Sequence, residues 1–218
     1  MIEKPLLQVA LDLTDIKEAI SIAKQARNGG ADIIEVGTPL IKSAGTNAVK
    51  SIKELCKNLQ ILADLKTLDA GWLETELVAK NGADIVSVSA LAHNKTIVDA
   101  VMCARNYEVK IMADLMQVQN PIDRAIELCD LGIDYLCLHS GIDAQKSEQA
   151  SLSRGLKLIS SVVKNCNIPV AVAGGLNHTT ACEVVKAGAK VVVIGSYITK
   201  SANAYESTKK VRDSIDKV

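Results

Sequence analysis

Leu62-Ala63-Asp64-Leu65-Lys66-Thr67-Leu68-Asp69-Ala70-Gly71 is an apolar run that ends in three charged residues and a glycine. The run begins at about Gln60 and has the character of a buried strand, and in an extended chain Asp64 and Lys66, two residues apart, point to the same face. A charge is costly to bury unless it is paired or bound to a metal. A carboxylate and an ammonium held together at a strand end are therefore either a structural ion pair or a reaction centre. Asp69 reads as the cap of a helix that Gly71-Trp72-Leu73 opens. This segment alone leaves both readings open.

Outward from it, related runs recur along the chain. Val9-Ala10-Leu11-Asp12, Ile61-Leu62-Ala63-Asp64, Ile111-Met112-Ala113-Asp114 and Val170-Ala171-Val172-Ala173-Gly174 form one series, and three of the four end on aspartate. Interleaved with these are Gly30 to Gly37, Gly82 to Ser89, Gly132 to His139 and Gly188 to Gly195, each a helix-ending glycine followed by an apolar, β-branched run. Runs that can be buried on both faces are the mark of parallel strands.

The stretches between them carry helical spacing, as at Ile16, Ala19, Ile20 and Ala23, at Val49, Ile52 and Leu55, and at Ile122, Ala125, Ile126 and Cys129. Asp15, Asn120-Pro121 and Asn177 stand as helix starts. Eight strands alternating with helices, at about fifty residues per pair of units, predict an α/β fold in which residues 1–218 form a single-domain (β/α)8 TIM barrel. An open doubly wound sheet would rarely be built from so regular a series.

The composition narrows the function. The 218 residues are 48% hydrophobic with a formal net charge of zero, and aromatic side chains are only 2%. No basic face or stacking surface invites nucleic acid, and no apolar run is long enough to span a bilayer. Met1-Ile2-Glu3-Lys4-Pro5 lacks the make-up of a signal peptide, so the expectation is a cytoplasmic enzyme or binding protein. Cys56, Cys103, Cys129, Cys137, Cys166 and Cys182 are widely spread and read as reduced, mostly buried side chains. His93 and His178 read as surface residues, and Trp72 as an interface or core residue.

In such a barrel the active site lies at the C-terminal ends of the strands, and the polar residues fall there: Asp12, Glu35, Asp64, Lys66, Asp114 and His139. Aligning the glycine-led strands places Glu35 level with Cys137, and His139 level with Gly37 and Gly195, so Glu35 and His139 both point into the barrel. Glu35 and Asp64, on neighbouring strands, make a pair of oxygen ligands for a hard cation such as magnesium. Lys66 would neutralise charge developing on an enolate, and Asp12 would orient that lysine. Gly174-Gly175 and Gly195-Ser196, after the last two strands, leave backbone N–H groups free for a phosphate.

Taken together, Ala10-Leu11-Asp12-Leu13, Ile34-Glu35-Val36-Gly37-Thr38-Pro39, the D-x-K-x-x-D run from Asp64 to Asp69, His139-Ser140-Gly141-Ile142-Asp143-Ala144-Gln145 and Ala171-Val172-Ala173-Gly174-Gly175 resemble the 3-hexulose-6-phosphate synthases of the orotidine-5'-phosphate decarboxylase suprafamily. The resemblance covers nearly the whole chain. It implies an aldol reaction of D-ribulose 5-phosphate with formaldehyde, giving D-arabino-3-hexulose 6-phosphate. Glu35 and Asp64 would hold Mg2+, or Mn2+ in its place; His139 would remove a C1 proton; Lys66 would stabilise the enediolate; and Asp114 would contact the substrate. It also implies a homodimer in which Asp69 reaches the neighbouring subunit's site.

The related 3-keto-L-gulonate-6-phosphate decarboxylases are the main competing reading. They carry arginine at the place of Ile142, glutamate at that of Asp114 and usually alanine at that of Leu65. A phosphosugar-binding barrel without turnover is a third reading, but it would be expected to lose the acid and lysine set, which is intact. The segment Gln145-Lys146-Ser147-Glu148-Gln149-Ala150 lacks the family's glycine, and Ser196 stands where relatives carry glycine or arginine.

Overall fold

The structure, a computed structural model, describes residues 4–141, 143 and 152–218. β1 (Leu6–Leu11), β2 (Ile33–Val36), β3 (Gln60–Thr67), β4 (Ile85–Ser89), β5 (Lys110–Asp114), β6 (Tyr135–His139), β7 (Val170–Ala173) and β8 (Val191–Ile194) pair in sequence order, and β1 closes on β8. All the pairs are parallel. Around them run α1 (Ile16–Asn28), α2 (Thr38–Ala44), α3 (Asn47–Leu55), α4 (Gly71–Ala79), α5 (Asn94–Asn106), α6 (Pro121–Asp130), α7 (Leu152–Asn165), α8 (His178–Lys186), α9 (Ser196–Thr199) and α10 (Ala204–Ile215). The predicted barrel is the observed one.

Strand parity separates two cores. On β1, Leu7, Val9 and Leu11 point outward and pack with helix residues such as Ala19, Ala23, Leu40 and Ile52. Ala10 points inward, with Ile33, Leu62, Ile85, Met112, Tyr135 and Val191. The inward positions shrink toward the C-terminal ends, where Ala10, Cys137 and Ala173 line a cavity.

The glycine-led repeat has a second purpose at the other end of the barrel. Gly30, Gly82 and Gly132 end α1, α4 and α6 at positive φ, and the aspartate two residues later reaches back to the preceding strand. Asp32 accepts from Leu7 N–H at 2.7 Å, Asp84 from Ile61 N–H at 2.7 Å and Asp134 from Ile111 N–H at 2.8 Å. Each carboxylate also meets a cation: Arg212, Lys53 and Arg105 respectively.

Helix starts agree with the sequence in part. Asp15 caps α1 through Lys17 and Glu18 N–H, and Asn177 forms a capping box with Thr180 on α8. Asn120 precedes Pro121 at the head of α6, but its side chain makes no capping bond. Asp69 does not cap α4. Ala70, at φ 53°, occupies the N-cap position, and this left-handed turn leaves Asp69 exposed. Ile126 also departs from expectation, being exposed while Ala125 and Leu128 carry the buried face of α6. The six cysteines are all free, and four of them are buried. Among the described residues no helix is long and apolar enough to cross a membrane.

Candidate active site

A cavity of about 450 Å³ opens at the C-terminal ends of the strands. Asp12, Glu35, Asp64, Lys66, Asp114, His139, Gly174, Gly175, Gly195 and Ser196 all line it. Asp69 does not line the cavity of its own chain.

Asp64 is the most tightly held of these groups. Ser87 Oγ donates to its Oδ1 at 2.7 Å, Thr38 Oγ1 donates to its Oδ2 at 2.8 Å, and the Lys66 ammonium donates to Oδ2 as well. Burial pushes the Asp64 pKa up, but the Lys66 charge and these three hydrogen bonds outweigh it and hold the carboxyl below its usual range. The geometry is not that of a plain extended strand. Between Ala63 and Thr67 the β3 register shifts against β4, and Lys66 takes φ 48° with its N–H on Ser87 Oγ at 2.9 Å. Lys66 lines the cavity with Asp64, as their spacing of two predicts, but from a bulged rather than an extended backbone.

Lys66 also lies 3.7 Å from Asp114 Oδ2. Burial would lower the lysine pKa, yet Asp64, Asp114 and Glu35 together raise it, so the side chain stays a cation. Its ion-pair partners are thus Asp64 and Asp114, while the predicted partner Asp12 makes no ion pair with it and acts on it only as a nearby charge. One carboxylate oxygen each of Asp12, Glu35 and Asp64 lie within 4.8 Å of one another.

Burial and the negative charges of Asp64 and Asp12 push the Glu35 pKa well up, against the lowering effect of its bond from Gln8 Nε2 at 2.5 Å. Asp12 is raised too, by burial of its carboxyl and then by Asp64. Three crowded oxygens, two of them on carboxyls that resist ionising, fit a hard divalent cation, which takes carboxylate ligands. Gly37 makes room for this cluster, because a Cβ there would sit 2.4 Å from Asp12 Oδ1.

His139 faces the cluster from β6. Its Nδ1 lies 2.8 Å from Asp114 Oδ2, whose other oxygen accepts Met116 N–H at 2.9 Å. An Nδ1–H donated to this carboxylate would leave Nε2 as the ring nitrogen available to take a proton. Asp114 therefore orients the histidine. On the far side, Gly174 takes φ 112° with Ser140 O only 2.4 Å from where a Cβ would be, so a side chain is excluded where the backbone approaches the cavity.

Gln8, Thr38 and Ser87 went unread in the sequence although signals existed for two of them. Ser87 follows Gly82 at the same interval by which Glu35 follows Gly30, and Gln8 shares the strand parity of Ala10 and Asp12. Nothing marked Thr38. His93 is the exposed N-cap of α5, as expected of a surface residue, whereas His178 is half-buried with Nδ1 2.9 Å from Tyr197 OH. Trp72 is 41% exposed on α4. Ile142 and the segment from Gln145 to Ala150 lie outside the described residues.

A family model described as Orotidine 5'-phosphate decarboxylase / HUMPS matches residues 5–211. A 3-hexulose-6-phosphate synthase of Bacillus subtilis (strain 168) is 38% identical over 209 residues, covering 96% of this chain and 98% of its own. A solved 3-hexulose-6-phosphate synthase superposes with a TM-score of 0.91 at 35% identity, over 96% of this chain and 99% of that one. A 3-keto-L-gulonate-6-phosphate decarboxylase, KGPDC from Streptococcus mutans in complex with D-R5P, superposes with a TM-score of 0.92 at 26% identity, over 98% of each chain.

Proposed function

The chain belongs to the orotidine 5'-phosphate decarboxylase / HUMPS family, and on that premise we propose that it is a 3-hexulose-6-phosphate synthase, condensing D-ribulose 5-phosphate with formaldehyde to D-arabino-3-hexulose 6-phosphate. The observation that carries this reading is the placement of His139: its Nδ1 lies 2.8 Å from Asp114 Oδ2, and it shares its cavity with Lys66 and the acids Asp12, Glu35 and Asp64.

Nε2 removes a proton from C1 of the ketose, and the electron pair left behind delocalises onto the C2 oxygen as an enediolate. The Lys66 cation stabilises that charge, and its raised pKa keeps it from acting as the base. C1 then attacks the formaldehyde carbon, forming the new bond, and the aldehyde oxygen takes up the proton that His139 carries. Glu35 and Asp64, with Asp12 beside them, suit magnesium, with manganese as a substitute. When bound, the ion supplies Lewis-acid stabilisation of charge on adjacent substrate oxygens. Backbone N–H groups at Gly174, Gly175, Gly195 and Ser196 receive the phosphate.

We assign a homodimer to the exposed apolar surface formed by Leu68, Trp72, Leu73 and Leu77, with Leu91 on the loop after β4. Asp69, next in sequence to Leu68 of this surface, is the residue that the family resemblance would send into a partner's cavity. The decarboxylase reading would use the same enediolate, reached by loss of carbon dioxide, and is favoured by the likeness to KGPDC. Two rates measured side by side decide between them: formaldehyde consumption with ribulose 5-phosphate, with and without magnesium, and carbon dioxide release from 3-keto-L-gulonate 6-phosphate. Fast, metal-dependent formaldehyde loss is expected; a much faster decarboxylation overturns the aldolase.

A further inference from the structure

The cavity holds four carboxylates, from Asp12, Glu35, Asp64 and Asp114. Of its lysines, Lys66 is committed to Asp64 and Asp114. A phosphorylated ligand that enters here needs a cation that is not already committed to these acids, because neutral backbone donors alone compensate a dianion poorly. The other lysine lining the cavity is Lys200, which makes no ion pair among the described residues.

Its position follows from the local fold. The single turn of α9 is pinned by fully buried Ile198 and by Tyr197, whose hydroxyl meets His178 across the gap to α8. Lys200 N–H donates to Ser196 O at 3.0 Å, closing the turn. Residues four apart in such a turn share a face, so the Ser196 and Lys200 side chains lie over the same part of the cavity, with Thr199 between them. Ser196 itself brings no charge. A lysine one turn further on supplies a compact cation on a long, flexible stem, the type of group that binds phosphate as a point charge.

We propose that Lys200 is the phosphate-recognising cation of this site and the residue that makes it select a phosphorylated sugar over a neutral one. The assignment rests on the phosphosugar reading of the cavity but not on the aldol chemistry. The test compares the full-length protein with Lys200→Met, which keeps the stem and loses the charge, and with Lys200→Arg. Three quantities are measured: KM and kcat for ribulose 5-phosphate, kcat/KM for unphosphorylated ribulose, and calorimetric binding of inorganic phosphate.

Loss of one charge-assisted contact predicts a rise in KM, and a weakening of phosphate binding, of about 10- to 100-fold in Lys200→Met. kcat should be nearly unchanged, the neutral sugar should be indifferent to the substitution, and Lys200→Arg should recover most of the loss. A folded Lys200→Met protein that binds inorganic phosphate and ribulose 5-phosphate as the wild type does overturns the proposal. An equal loss with phosphorylated and neutral sugar, not recovered by arginine, overturns it too. If phosphate binding is lost in Lys200→Met while no form of the protein consumes formaldehyde, the cation stands and the aldolase falls.

Discussion

Replacing Asp114 by asparagine separates the orientation of His139 from its presence. Asp114 is 5% exposed and makes three contacts: His139 Nδ1 at 2.8 Å, Met116 N–H at 2.9 Å and Lys66 Nζ at 3.7 Å. Asparagine has the same shape, and its carbonyl oxygen can keep the Met116 N–H. Its NH2 then faces Nδ1, which must become an acceptor, so the ring proton moves to Nε2 and the base is lost. Lys66 retains Asp64 and remains a cation. A positioned general base contributes about 10²- to 10⁴-fold, which at 1.36 kcal/mol per decade is about 3–5 kcal/mol of barrier. The assay is loss of the ribulose 5-phosphate C1 proton signal in D2O without formaldehyde, which isolates proton abstraction from aldehyde capture. Asp114→Asn should slow exchange by that factor while its thermal midpoint stays near the wild-type value. Exchange at the wild-type rate in a folded variant would refute the orienting role.

The remaining expectations concern the rest of the frame. Asp84→Ala strands Ile61 N–H and frees Lys53, costing about 1–3 kcal/mol in urea unfolding; an unchanged midpoint would show that the carboxylate is dispensable. Gly37→Ala drives a Cβ against Asp12 Oδ1 and Leu11 O, so magnesium affinity and turnover should both fall, and retention of both would exclude the crowding argument. Glu35 binds its proton more tightly folded than unfolded, because burial and Asp64 raise its pKa. The metal-free protein should therefore lose stability as pH rises through the window between the usual glutamate pKa and the raised one, while magnesium affinity rises through the same window. A magnesium-induced thermal shift that stays the same size across that window would contradict this. Trp72→Glu should give monomers by light scattering and cost activity through loss of Asp69 from the partner's site; an active monomer would sink that assignment.

The barrel was legible because its signal is repeated: the glycine-led runs and the aspartate-ended runs each recur about every fifty residues, and the parity of Glu35 and His139 followed from that alignment. Ser87 was within reach of the same alignment, but serine in a strand carries no alarm, and its importance comes from what it bonds. The Lys66 bulge was not legible, since alternation assumes extended backbone and no glycine marks the φ of 48°. Asp69 misled as a cap because Ala70 takes the left-handed turn that a cap rule would assign to glycine or asparagine. Asp12 was expected to orient Lys66; strand order also sets it beside Glu35, which pairs with Ala10 on the neighbouring strand, and so brings it into the carboxylate cluster.

The two ends of the barrel treat carboxylates in opposite ways, and that contrast separates stability from chemistry. At the N-terminal end Asp32, Asp84 and Asp134 each receive a backbone N–H and a cation of their own, so each charge is compensated and joins a strand to the next unit. At the C-terminal end four carboxylates crowd into a single cavity where Lys66 is the one lysine paired with any of them, and burial together with their mutual repulsion raises the pKa of Glu35 and Asp12. Such crowding costs folding energy. The cost is tolerable because strand parity keeps it away from the packing: Leu7, Val9 and Leu11 face the helices while Gln8, Ala10 and Asp12 face the barrel interior and its cavity. A cation held by Asp12, Glu35 and Asp64 would offset that cost where the proposed chemistry develops negative charge, with the barrel frame left as it is.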